Sequence, residues 1–321
     1  MPGVRNASLL CACLLLAEVV AAAENYPSKP IRLILPIAPG GAVDTIARNI
    51  GQKLSERLGQ QVVIDNRAGG GGSMGAELTA RAAPDGYTLM LAGSAFLVYS
   101  LLYRAPYNPV RDFAPVTQLV KHPYVMAVAS SVPAATVSEF VSWAKANPDK
   151  VNYASSGNGS LIHLTGELLK ARTGIAMAHI PYKGIALGFI DMLAGRVQAT
   201  FASPLSTLPY VKSGRLRALG VTSTKRISLL PDLPTLDEAG VKGFEVTQWF
   251  GVFAPPGTPS EITSRVQREI AAILSEKEQA QRMAAEGSEI LGNTPAEFAR
   301  EVRAEYARWD TVIRQAHIKG E

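Results

Sequence analysis

The segment Ile31-Arg-Leu-Ile-Leu-Pro-Ile-Ala-Pro-Gly-Gly-Ala-Val-Asp44 decides the fold. Ile31–Leu35 is a short run of branched apolar residues closed by Pro36, the make-up of a buried strand. A glycine-rich turn follows, and then Val43, Ile46, Ala47, Ile50 and Leu54 recur at helical spacing. This is a strand, a tight loop and a helix in direct succession. Working outward, Val62–Ile64 reads as a strand, Glu77–Arg81 as a helix and Tyr87–Leu91 as a strand. Repeated β-α-β units predict an α/β protein with a mainly parallel sheet covered on both faces.

A second series starts at Val125–Val128. Thr136-Val-Ser-Glu139 has the spacing of a capping box and predicts a helix to about Ala146. Val151–Ala154, Ala176–Tyr182, Val197–Phe201 and Leu216–Val221 read as strands, Leu161–Ala171 as a helix, Leu229–Thr235 as a loop, and Phe244–Phe253 as an extended aromatic segment. Near the C-terminus, Phe298, Val302, Tyr306, Trp309 and Ile313 form one apolar stripe of a helix, expected to pack back on the first lobe. The chain would then cross between two lobes near Tyr124 and near Trp249, giving a first lobe of residues 24–124 plus 249–321 and a second of 125–248. Each lobe is expected to be a mixed, mainly parallel sheet flanked by helices.

The chain starts with Arg5, a short apolar run over Ala7–Leu16 and small residues up to Ala23. That run is too short to span a bilayer as a helix. It predicts a secretory signal cleaved after Ala23, hence export to the periplasm, with a membrane anchor as the alternative. Cys11 and Cys13 both lie inside this segment, so the mature chain is expected to have no disulfide and no thiolate metal site. The formal net charge is +5, with the basic residues spread out and no aromatic interleaving. This argues against nucleic acid as a partner and suits a small anion.

Three glycine-rich loops each join a strand to a helix: Pro36–Asp44, Asn66–Gly75 and Ser155–Ser160. Glycine lets backbone N–H groups approach a ligand, and a helix start offers unpaired donors and the positive end of its dipole. Ligands of open α/β sheets sit beyond the carboxyl ends of the strands. The middle loop also carries Gly70-x-Gly72-x-x-Gly75, but the acidic residue a dinucleotide site needs is replaced by Gly93-Ser-Ala-Phe96. It spells Gly71-Gly-Ser-Met-Gly75 as well, which makes a secreted α/β-hydrolase using Ser73 the enzyme-class alternative; however, Asn66–Gly70 intervene where a nucleophile elbow needs a strand. His122, His163, His179 and His317 are not at metal-ligand spacing. No catalytic residue, metal or cofactor is expected.

In these loops, and in Pro84–Leu89, Ile180–Gly184, Pro204–Leu219 and Pro255–Pro259, the whole mature chain resembles the Bug-type substrate-binding receptors of tripartite tricarboxylate transporters. The resemblance implies a two-lobed periplasmic binding protein of the Venus-flytrap, type II-like architecture. It implies a small carboxylate held between the lobes and delivered to membrane transporter subunits by a monomer. A ligand-sensing receptor for a signalling partner would have the same pocket. Carried over by position, the ligand-binding residues are Ile37, Gly40 and Gly41 of the first lobe, with Ala92, Gly93 and Ser94 at the mouth, and Ser156, Gly159 and Ser160 of the second, with His163 beside them. Asp44 is expected to cap its helix rather than meet an anion. The chain departs from the family at Gly184-Ile-Ala-Leu-Gly188, where Ile185 and Leu187 would narrow the side-chain end of the pocket.

Overall fold

The computed structural model describes residues 26–40, 42–285 and 287–320. The expected signal segment with its two cysteines, and Gly41, lie outside the described residues. Two sheets organise the rest. The first has the order β11-β4-β10-β3-β1-β2, built from β1 (Ile31–Leu35), β2 (Val62–Asn66), β3 (Thr88–Gly93), β4 (Ala114–Pro123), β10 (Thr247–Ala254) and β11 (Glu289–Ile290). The second has the order β7-β6-β8-β5-β9, built from β5 (Val125–Ala129), β6 (Asn152–Ser155), β7 (Ala178–Pro181), β8 (Ala199–Ala202) and β9 (Leu216–Val221).

The helices are α1 (Ala42–Leu58), α2 (Ser73–Ala80), α3 (Ala95–Leu102), α4 (Val137–Ala146), α5 (Leu161–Thr173), α6 (Ile185–Leu193), α7 (Pro204–Lys212), α8 (Ser260–Leu274), α9 (Lys277–Ala285) and α10 (Pro295–Gln315). Both sheets are mixed. β1 pairs in parallel with β2 and β3, and β6 with β7 and β8, as strands joined through helices do. The antiparallel pairs come from the strands that change sheet: β4 and β10 in the first, β5 in the second.

Side-chain caps set the starts of several helices, the expected one at Thr136 among them. Thr136 Oγ1 accepts from the Glu139 N–H at 3.1 Å, while Glu139 Oε2 accepts from Ala135 N–H at 2.6 Å, one residue earlier than a regular box. Ser160 caps α5 by accepting from His163 N–H, and Thr294 with Glu297 completes a full box at α10.

The chain passes between sheets at Tyr124, the single residue between β4 and β5, and again before Thr247, where β10 begins. Thr247 and Gln248 are thus already in the first sheet, two residues ahead of the expected crossing at Trp249. Helix α10 does not pack on the first sheet alone. Its Phe298 and Val302 join a cluster with Trp249 and Phe253, whereas Trp309, Val312 and Ile313 join the core of the second sheet with Phe201, Leu164 and Tyr124. Between them, buried Glu305 accepts from Trp249 Nε1 at 2.5 Å and from Trp309 Nε1 at 2.9 Å. Burial raises the Glu305 carboxyl above its ordinary range.

Candidate functional site

Because β1 and β3 are parallel neighbours, their carboxyl ends and the helices that follow share one edge of the first sheet. In the β1–α1 loop Ile37 is partly buried, while Ala38, Pro39 and Gly40 are exposed. The loop is tied by Asp44. Its carboxylate accepts from Gly40 N–H at 3.1 Å, from Arg48 Nε at 2.9 Å and from Asn66 Nδ2 at 3.0 Å; Asn66 Nδ2 also reaches the Ile37 carbonyl at 3.3 Å. The hydrogen bond from Arg48, then those from Asn66 and Gly40, hold the Asp44 carboxyl down to about 2. Asp44 thus reaches back to the residues before α1, as a capping carboxylate does. The Gly40 N–H expected to meet a ligand is engaged by Asp44.

The middle glycine-rich loop is a packing device. A Cβ on Gly71 would fall 2.1 Å from the Tyr99 ring, and one on Gly75 would fall 2.9 Å from Pro36. The loop is thereby pressed between α3 and the β1–α1 loop, and side chains there would push both away. Ser73 is the first residue of α2, and among the described residues no histidine hydrogen-bonds its hydroxyl. His122 is bonded to Ser288, His179 to Ser155, and His163 to Gly159.

At the end of β3 the expected mouth residues are largely covered. Ala92 and Ser94 are buried, and a Cβ on Gly93 would meet the Phe250 ring at 2.9 Å. Ser94 N–H donates to the Trp249 carbonyl, while its buried hydroxyl has no hydrogen-bond partner among the described residues.

In the second sheet, β6, β7 and β8 run parallel and end together at Ser155, Pro181 and Ala202. The Ser155–Ser160 loop curls over that edge with Ser156 exposed. Gly157 N–H donates to Ser155 Oγ, Ser160 N–H to the Gly157 carbonyl, and Gly159 N–H to His163 Nδ1 at 3.0 Å. Gly159 has φ +71°. Its N–H, like that of Gly40, is therefore committed inside the protein. The donors of this loop without an acceptor among the described residues are the N–H groups of Ser156, Asn158, Leu161 and Ile162. Leu161 and Ile162, in the first turn of α5, were not singled out from the sequence; the orphan donors of a helix start were the signal that could have found them.

His163 is buried beneath the loop, not exposed beside a ligand. Ile185 packs against the second-sheet core, and Leu187 remains 48% exposed on the outside of α6, so the two diverge. The structure thus gathers Ile37, Gly40 and the β3 end on one sheet edge, and Ser156, Gly159, Ser160 and His163 on one edge of the other. Across the two, Leu102 of α3 approaches Gly159, and Asn158 Nδ2 donates to the Lys319 carbonyl at 2.9 Å. A cavity of about 300 Å³ lies between the two halves at the β4–β11 side, lined by Lys121, Thr247 and Ser288 from one and Ser223, Lys225 and Arg226 from the other. None of the predicted residues lines it. Lys121 is paired with Glu289 and Arg226 with Glu238. Among the described residues no group of three or more His, Cys, Asp and Glu is placed to hold a metal ion.

Residues 46–318 match the sequence profile of the tripartite tricarboxylate transporter family receptor. The chain belongs to that receptor family. BugT of Bordetella pertussis is 36% identical over 300 residues, which cover 92% of each protein. The receptor also resembles R. palustris Rpa4515, solved with adipate: 37% identical, 92% of this chain and 99% of that one, TM-score 0.73. A TctC solute binding protein from Polaromonas, solved with no ligand, is 26% identical over 90% of this chain and 99% of that one, with a TM-score of 0.82. The receptor therefore has the fold of a two-lobed periplasmic binding protein, and its family is one of solute-binding receptors, not an enzyme class. No described helix is long and apolar enough to cross a membrane.

Proposed function

We propose that this receptor captures a small dicarboxylate between its two lobes, residues 24–124 with 247–321 and residues 125–246, in the periplasm. As a monomer it hands the ligand to the membrane subunits of a tripartite transporter, and it performs no chemistry on it. The observation that carries this reading is the second-sheet loop. Two serine hydroxyls and four N–H groups without acceptors collect at one helix start, at Ser156, Asn158, Ser160, Leu161 and Ile162, and none of these residues carries a positive charge. Such a cluster takes an anion through dipoles instead of an ion pair. Adipate in the related R. palustris protein supports the ligand class. Ser73, without a histidine partner, supports the absence of hydrolysis.

Calorimetry with mono-, di- and tricarboxylates, amino acids and sugars, joined to small-angle scattering, tests the proposal. A dicarboxylate should bind and compact the protein. Tight binding of an uncharged sugar, or binding without compaction, would overturn it.

A further inference from the structure

His163 and His179 stack face to face, their ring centroids 3.6 Å apart and their planes 7° from parallel. The register Tyr153↔His179 sets one ring at the edge of the second sheet, and α5 lays the other over it. Tyr153 continues the stack at 5.1 Å from His179. Each imidazole then holds a different part of the Ser155–Ser160 loop. His163 Nδ1 accepts from Gly159 N–H at 3.0 Å. His179 Nε2 is hydrogen-bonded at 2.6 Å to Ser155 Oγ, which in turn accepts from Gly157 N–H at 3.1 Å.

We propose that His163 and His179 are positioning residues: a neutral stacked pair that fixes the shape of the anion-binding loop through its backbone without touching the ligand. This rests on the carboxylate-receptor reading above for its purpose, though not for its geometry.

The charge state follows from the contacts. Nδ1 of His163 is an acceptor, so its neutral ring carries the proton on Nε2. A proton added to Nδ1 would set two donors against each other at Gly159. A proton added to either ring would place its charge against the other ring's face. The charged groups facing the pair are Glu167 and Lys170 of α5. Glu167 is engaged by Lys170 at 2.9 Å and by the Tyr153 hydroxyl at 2.8 Å, and the adjacent ammonium offsets its pull on an imidazolium. Burial, reinforced by Lys170, pushes His163 down to about 4; burial, with His163 next, does the same to His179 against the opposing pull of Glu167. With both rings held down, the pair carries no charge at neutral pH. It stays neutral across the range in which a free imidazole would charge.

The test has two readouts on the full mature chain. In ligand-free protein, NMR should find the Nε2–H tautomer of His163 down to about pH 5. Gly159 amide exchange should quicken at least tenfold in His163→Leu. By calorimetry with adipate, wild-type affinity, corrected for the ligand's own protonation, should be flat from pH 8 to 5.5. His163→Leu should lose at least tenfold at pH 7, and His163→Asn, whose Oδ1 can occupy the place of Nδ1, should recover most of that loss. Below pH 4 the wild-type loop should open, whereas a His163→Asn/His179→Gln protein should not follow. The proposal is overturned if His163 titrates near 6.5, if Gly159 exchange is unchanged in the leucine variant, or if asparagine is as damaging as leucine. Failure of the wild type to bind any carboxylate would sink the receptor reading instead, and the ligand-free measurements would still decide the strut.

Discussion

Replacing Gly159 by alanine separates two forces that act on the candidate loop. The residue sits at φ +71°, in the left-handed region, where a Cβ costs about 1–2 kcal/mol. The new methyl would also lie 2.4 Å from Leu102 Cδ1, far inside the 3.5–4.0 Å at which carbons attract. Leu102 is half-buried on α3, so its far end can turn aside, at a cost of about 0.5–1.5 kcal/mol if it leaves its rotamer. The two terms together predict a loss of about 1.5–3.5 kcal/mol in urea unfolding. In a Leu102→Ala background the clash vanishes while the backbone strain remains, so the same substitution should cost only about 1–2 kcal/mol there. The double-mutant cycle reads the difference directly. Binding of adipate should weaken more than stability does, because Gly159→Ala also displaces the N–H held by His163. A total cost under about 0.5 kcal/mol would show that the backbone is not left-handed. Equal costs in both backgrounds would show that Leu102 is not the neighbour.

Three further outcomes are expected. The Asp44 carboxyl, held down to about 2 mainly by Arg48, contributes stability that is present above its unfolded value near 4 and is lost as pH falls through 2; thermal melts of Asp44→Asn should therefore lose less between pH 5 and 2 than the wild type, and equal slopes would refute the role. Glu305→Leu leaves two buried indole N–H groups without an acceptor, at about 1–3 kcal/mol each, partly offset by removing a buried carboxylate. A net loss of about 1–4 kcal/mol and altered tryptophan emission are expected, and full stability would contradict the clamp. Ser73→Ala should keep ligand affinity within about threefold, a bound set by its exclusion from the loop donors; an esterase activity lost in this variant would restore the hydrolase alternative.

Much of the fold was legible because its signals are local. The apolar run Ile31–Leu35, the Thr136–Glu139 cap and the strand Leu216–Val221 all stand where their patterns placed them. The stripe on α10 was legible as a face, but periodicity cannot name the partner, and the face is shared between two cores. Strand β4 escaped notice: its buried Thr117 and Gln118 break the apolar pattern, and much of their hydrogen bonding goes to Gly292 and Asn293, far along the chain. Helix α7 carries Pro209 inside it, and α6 carries Gly188 against Ala154, so neither has a clean helical signature. The site was legible at the level of loops and not of donors. Gly40 and Gly159 were read as free N–H groups, yet each is bonded to a side chain four residues on, Asp44 and His163. His179 gave no sequence signal at all, since only the pairing of β6 with β7 brings it under the loop.

The connections between the sheets constrain how the proposed cleft can close. Thr222 laces three segments together: it exchanges backbone hydrogen bonds with Tyr124 and Val246, and its hydroxyl bonds to both. With both partners tied at one buried residue, sliding one lobe past the other would break several hydrogen bonds at once, at about 1 kcal/mol or more each. Helix α10 adds a second tie. Its 21 residues span about 30 Å, with one half anchored in each core and Glu305 joined to Trp249 and Trp309 at the middle. Pure translation would strain both ties. Rotation about an axis through Thr222 and Glu305 keeps the hydrogen bonds near that line in place and asks of α10 a bend at its middle, where its two anchored halves meet. Closure by such a hinge would leave the cores of both lobes intact. The free energy of binding then goes into the loop contacts at Ser156–Ile162 and their counterparts in the first lobe, not into remaking the packing beneath them.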